Sequence, residues 1–187
     1  MQATKSTFEE RIALVRHWPR VHDYTGALLK ALLNQKPNYW TGWITSLSQA
    51  EFLSLQLRDQ GSSKCLTPAG ASHALSDVVK LMKHNGWTFS SLASEDLDTN
   101  QVPRNPEWFM SCAEIYADFD MSKLGDLAVH PRKGFKKIAV QDGKYIPSYH
   151  EIYEGQHRAL VFAQKLLDGE VEWSELSILY LYPDRET

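Results

Sequence analysis

His150-Glu151-Ile152-Tyr153-Glu154-Gly155-Gln156-His157-Arg158 is the stretch that decides how this chain is read. Its first half closes a run from Lys144 to Tyr153 that is rich in β-branched and aromatic residues, as strands are. Gly155 interrupts that run, and a helix is predicted from about Gln156 to Leu167 with Gly169 as its stop. Upstream, Asp142-Gly143 is a favoured two-residue hairpin turn, flanked by a second strand-like run from Phe135 to Gln141. Downstream, Leu176 to Tyr182 alternates as a closing strand does. A β-hairpin, a helix and a strand therefore end the chain.

The preceding two-thirds read as helical. Ser6-Thr7-Phe8-Glu9 is a capping box opening a short helix that stops near Trp18-Pro19. Asp23 caps a second helix carrying Leu28, Leu29, Leu32 and Leu33. Ser48-Gln49-Ala50-Glu51 is another box, with Gly61 as the end of that helix. Thr67-Pro68 starts a fourth helix through Ala71, Leu75, Val78, Val79 and Met82, ended by Asn85-Gly86. Asn105-Pro106-Glu107 repeats that start chemistry for a fifth, with Phe109, Cys112, Ala113, Tyr116 and Phe119 on one face. The expected fold class is α+β. Residues 1–89 form a helical region and 90–104, polar and broken by Pro103, a linker or long surface loop. Residues 105–187 add a helix and a small mixed unit that packs with the rest or apart from it.

A content of 43% hydrophobic and 23% charged residues over 187 positions is that of a globular chain able to bury a core without metal or disulfide. Cys65 and Cys112 stand in no ligand spacing and read as buried free thiols, which favours a reducing compartment. No apolar run is long enough for a leader or a membrane span, so the expected location is cytoplasmic and soluble. A net charge of −3 excludes a generally basic nucleic-acid coat. The charge is nonetheless segregated: residues 1–90 carry net +4, 91–129 net −6, 130–165 net +4 and 166–187 net −5. Such blocks are solvated faces or a bipolar surface that orients a partner.

Chemistry concentrates between His130 and Arg158. His130-Pro131-Arg132-Lys133-Gly134-Phe135-Lys136-Lys137 places four cations around a glycine, a composition suited to phosphate. At Gly155 a strand-to-helix turn is followed by Arg158 in the first helical turn, where free amides, helix dipole and guanidinium favour an anion. Glu151, Glu154 and His157 are the nearby acids and bases.

That turn resembles the phosphate-binding Gly-x-x-Arg turn of the ParB and sulfiredoxin-like nucleotide-binding fold. The resemblance is one of motif, spans Ile138 to Leu167, and rests on Gly155, His157, Arg158 and the helix behind them. It implies a phosphate or nucleotide ligand at those three residues. No Cys stands where sulfiredoxin has its nucleophile.

Other patterns point elsewhere. Glu154-Gly155-Gln156-His157 is a single Glu-x-x-His without the second copy that a di-metal helix bundle needs, so no metal and no cofactor are expected. Arg58 to Gly70, with Leu66-Thr67-Pro68-Ala69-Gly70, looks like the wing of winged-helix regulators, although Ser48 to Gln60 reads as helix where a strand should precede the wing. Tyr39, Trp40 and Trp43 lie in a glycine-containing loop, and such aromatics dominate interface hot spots.

The leading expectation is a non-catalytic binding or regulatory protein with a macromolecular, most naturally protein, partner. Tyr39, Trp40 and Trp43 would make the contact, with Arg132, Lys133, Lys136 and Lys137 as a second patch. The alternatives are a phosphate- or nucleotide-binding enzyme using Gly155, His157 and Arg158, and a DNA-binding regulator using residues 58–70. No membrane partner is expected, and no complete catalytic signature is present in the sequence.

Overall fold

A computed structural model of the chain describes residues 3–5, 39–44, 47–57, 66, 72–94, 106–124, 127–131, 150–174, 176 and 178–183. Helix and strand are mixed among these residues, with helix predominating. The helices are α1 (Gln49–Leu53), α2 (Leu75–His84), α3 (Phe89–Ala93), α4 (Pro106–Ala117), α5 (Met121–Leu124) and α6 (Gln156–Asp168). The strands are β1 (Ala3–Lys5), β2 (Tyr39–Ile44), β3 (Gln56–Leu57), β4 (Leu127–Pro131), β5 (His150–Glu154) and β6 (Ile178–Pro183).

The core is organised around α6. Ala159, Leu160, Val161, Phe162 and Ala163 are all fully buried, so this helix is enclosed on every side for more than a turn. Phe162 is its main anchor, with its ring 5.3 Å from Phe52 and 5.9 Å from both Phe119 and Trp173. Beside it, α2 buries Leu75, Val78, Val79 and Met82. From α4, Phe109 and Cys112 enter the same core. Burial raises the Cys112 thiol pKa well above its ordinary range, so this cysteine is an inert packing group.

Strand order in the sheet is β1-β2-β6-β4-β5-β3. β4 runs antiparallel to β5 and parallel to β6, while the short β3 lies parallel to β5. Val129, Ile152 and Leu57 form one row across β4, β5 and β3, and all three belong to the core around α6. The adjacent row joins His130, Glu151 and Gln56. Strands from both sides of residues 90–104 thus pair in the same sheet.

Helix ends match their local chemistry. The Ser48–Glu51 capping box is formed in both directions. α2 ends at Asn85-Gly86, with the Trp87 amide bonded back to the Met82 carbonyl at 2.9 Å. α6 ends in a Schellman turn: Glu170 N–H donates to Lys165 O at 2.9 Å and Gly169 N–H to Leu166 O at 3.2 Å, with Gly169 left-handed at φ 72°.

Several expectations are corrected. The helix after Ser48 does not reach Gly61 but stops at Leu53, and Gln56–Leu57 joins the sheet instead. Leu55 and Leu57 are fully buried, and the Gln56 side chain ties Ser54 O to the His73 amide, so burial and pairing override the helical pattern. The fourth helix begins at Leu75, since Ala74 is bridged to Gln56 and Leu57 N–H donates to His73 O. Within the stretch read as a linker, residues 90–93 belong to α3, held by a Thr88–Ser91 capping box and by buried Phe89 and Leu92. The glycine-containing loop around Trp40 is strand β2, in keeping with its Tyr, Trp, Thr and Ile. His130 and Pro131, read as part of a basic loop, end strand β4.

The capping box at Ser6, the helix after Asp23, the Thr67-Pro68 start, residues 94–104 beyond Ser94, and the Asp142-Gly143 hairpin lie outside the described residues. Among the described residues, no helix is long and apolar enough to cross a membrane.

Candidate functional site

Gly155 joins β5 to α6 in a conformation that side chains resist, with φ 86° and ψ 22°. Space forbids a side chain as well: a Cβ there would lie 2.5 Å from Leu127 Cδ2 and 3.0 Å from Arg158 Nη2. The glycine therefore does two things, reversing the chain and admitting the Arg158 guanidinium over its α-carbon. Arg158 Nη1 donates to the Leu124 carbonyl at 2.5 Å, tying the start of α6 to the end of α5.

The first hydrogen bond of α6 runs from Ala159 N–H to Gly155 O at 2.8 Å. The amides of Gln156, His157 and Arg158 precede it, so the helix itself supplies them no acceptor. Gly155 offers no capping side chain either. Helix dipole and guanidinium add positive potential at the same place.

His157 is braced from outside the helix. Its ring centroid lies 4.5 Å from that of Trp108, with the planes 38° apart. Trp108 in turn meets the buried Phe109 edge-on at 5.1 Å. Eight residues further along both helices, Lys165 Nζ sits 3.8 Å from the centre of the Tyr116 ring. Two contacts with the same spacing mean that α4 and α6 run side by side in the same direction, with both starts at the Gly155 end.

The far end of this helix pair carries a second polar cluster. Lys165 Nζ is 2.8 Å from Glu170 Oε2, and Tyr116 Oη donates to Glu170 Oε1 at 2.5 Å. The hydrogen bond to Glu170, together with burial, pushes the Tyr116 pKa up to about 12. Bonds from Lys165 and Tyr116 hold the Glu170 carboxyl below its ordinary range. Nearby, Lys83 bonds both Asp168 and the Leu167 carbonyl, adding α2 to the same end.

Of the residues singled out in the sequence, Gly155, His157 and Arg158 come together in one turn. Arg132, Lys133, Lys136 and Lys137 lie outside the described residues. Pro131, just before them, pairs with His150 at the opposite end of β5 from Gly155, about 16 Å along an extended strand. Tyr39, Trp40 and Trp43 pair through their backbones with Pro183, Tyr182 and Leu179 of β6, and their side chains lie outside the description. Of the winged-helix-like stretch only Leu66, buried, is described. Glu151 is buried beside Gln56 in the register and 8% exposed. Among the described residues, no three His, Cys, Asp or Glu side chains converge in a way that could hold a metal ion.

Two participants were not legible as such. Trp108 reads from sequence as an ordinary core residue, and Leu124 offers only a carbonyl, which no side-chain pattern advertises. No protein-family model matches the chain, and no curated protein or solved structure matches it.

Proposed function

We propose that this chain is a binding protein that takes a phosphate-bearing ligand at the Gly155–Arg158 turn, on an α+β scaffold. The observation that carries the reading is the placement of Arg158 against a left-handed, side-chain-free Gly155 at the start of a 13-residue helix. Backbone approach at Gly155, the dipole of α6 and a guanidinium suited to phosphate contact would then act on one ligand. The similarity of Gly155, His157 and Arg158 to the Gly-x-x-Arg phosphate turn supports the same reading. The ligand's phosphate would sit at the Gly155 start of α6, with Arg158 as its charged partner.

The test is a thermal-shift and calorimetric titration with inorganic phosphate and nucleoside phosphates. A ligand at about 100 times its Kd adds about 2.7 kcal/mol of stability, which moves the midpoint by several degrees. Arg158→Lys keeps the charge but loses the planar fork, and should weaken binding by about tenfold or more. The absence of any shift with phosphate or nucleotides, or unchanged affinity in Arg158→Lys, would overturn the reading.

A protein partner at β2 is the second reading. It is supported by the aromatic residues Tyr39, Trp40 and Trp43 on this strand, since such side chains dominate interface hot spots. Replacing Trp40 and Trp43 by Ala should then weaken capture of the partner without moving phosphate affinity.

A further inference from the structure

We propose that residues 169–174 form an acid-released strap over the core, let go when Glu170 takes up a proton and Lys165 loses its counter-charge. The strap begins at Gly169, whose left-handed φ of 72° turns the chain back at the end of α6. Further along, Trp173 lies against Phe162 at 5.9 Å and against Phe52 at 5.6 Å, with the ring planes 22° and 40° apart. Phe52 and Phe162 are fully buried while Trp173 is only partly so, which makes the indole the outer cover of these two rings. Glu170 is the polar fastening. One of its carboxylate oxygens lies 2.8 Å from Lys165 Nζ, and the other accepts from Tyr116 Oη at 2.5 Å.

The release follows from where Lys165 sits. Its side chain is almost enclosed, with the ammonium 3.8 Å from the centre of the Tyr116 ring and 5.7 Å from that of Phe119. Phe119 stacks on Phe162, so the lysine, the aromatic stack and Trp173 are one continuous assembly. An enclosed charge is tolerated while it is paired, and removing its partner leaves it uncompensated. Protonated Glu170 still forms hydrogen bonds as a neutral acid but no longer supplies the charge. The neighbouring carboxylates do not replace it: Asp168, at the end of α6, is engaged by Lys83 of α2, and Glu172, on the strap itself, is exposed. Lys165 then regains water by moving outward, through the place that Glu170 and the strap occupy. Bonds from Lys165 and Tyr116 hold the Glu170 carboxyl below its ordinary range. The strap is therefore closed above that range and opens as pH falls through the depressed value.

The experiment uses the full chain labelled with fluorotryptophan, the Trp173 fluorine resonance being assigned with Trp173→Phe and amide exchange followed in parallel. It involves no phosphate, so its outcome is independent of the ligand reading above. Acid should move the Trp173 resonance towards its solvent-exposed position while the α6 amides stay protected. Glu170→Gln removes the carboxylate charge at every pH and should show the open position at neutral pH. In that variant exchange of the 171–173 amides should speed up about tenfold or more, as expected for a lost charged hydrogen bond. Adding Lys165→Met to Glu170→Gln removes the enclosed charge and should return Trp173 to its stacked position, in acid as at neutral pH. A Trp173 resonance unmoved in Glu170→Gln would overturn the strap, as would movement seen only when α6 protection is lost. A double variant as open as Glu170→Gln alone would overturn the part played by the Lys165 charge.

Discussion

The ammonium of Lys165 stands 3.8 Å from the centre of the Tyr116 ring, and Glu170 bridges the two by accepting from both. The Schellman turn explains how: by reversing the chain at Gly169 it folds Glu170 back over the residue five positions earlier. A lysine that is 9% exposed is tolerated because its charge meets a carboxylate and an aromatic face.

This cluster gives a pH dependence with two signs. Tyr116 is raised to about 12, so its contribution to stability is full below about pH 10, the ordinary tyrosine value, and is lost as pH rises through 12. Glu170 is lowered, so its contribution is present above the ordinary carboxylate range and is lost as pH falls through its depressed value. Ultraviolet titration should show Tyr116 ionising late, a step that Tyr116→Phe should remove. A set of tyrosines all ionising near 10 would show that the clasp is not formed in solution.

Gly155 and Gly169 both have positive φ but differ in surroundings. A Cβ at Gly169 would meet nothing within 4 Å, whereas at Gly155 it would strike Leu127 and Arg158. Gly169→Ala should therefore cost about 1–2 kcal/mol from backbone strain alone. Gly155→Ala should cost about 2–5 kcal/mol, because overpacking is added to the strain. Urea unfolding of the two variants separates these effects, and equal losses would contradict the close approach at Gly155.

Phe162 is fully buried among Phe52, Phe119 and Trp173. Its replacement by Ala should cost about 3–5 kcal/mol and reduce the near-ultraviolet dichroism of the surrounding rings. Trp173, only partly buried, should cost less when truncated. A loss below 1 kcal/mol for Phe162→Ala, measured by urea unfolding, would contradict a core built around α6.

What sequence alone determined here is local. The start of α4 at Pro106, the end of α2 at Asn85-Gly86, the Ser48 box and the span of α6 up to Gly169 all follow from residues within a turn of one another. The Gly155–Arg158 turn was legible for the same reason, since its glycine, amides and arginine are contiguous. Tertiary structure decided the rest. Gln56–Leu57 is too short to show any periodicity, and it becomes a strand only because Glu151 and Ile152 are there to pair with it. The parallel pairing of β4 with β6 likewise joins residues about fifty positions apart, and no local pattern encodes it. Trp108 and His157 are equally far apart, and only the side-by-side packing of α4 on α6 brings their rings together. Hydrogen bonds within a helix are set by neighbours in sequence, whereas strand pairing and ring stacking draw their energy from partners that the folded chain must first deliver.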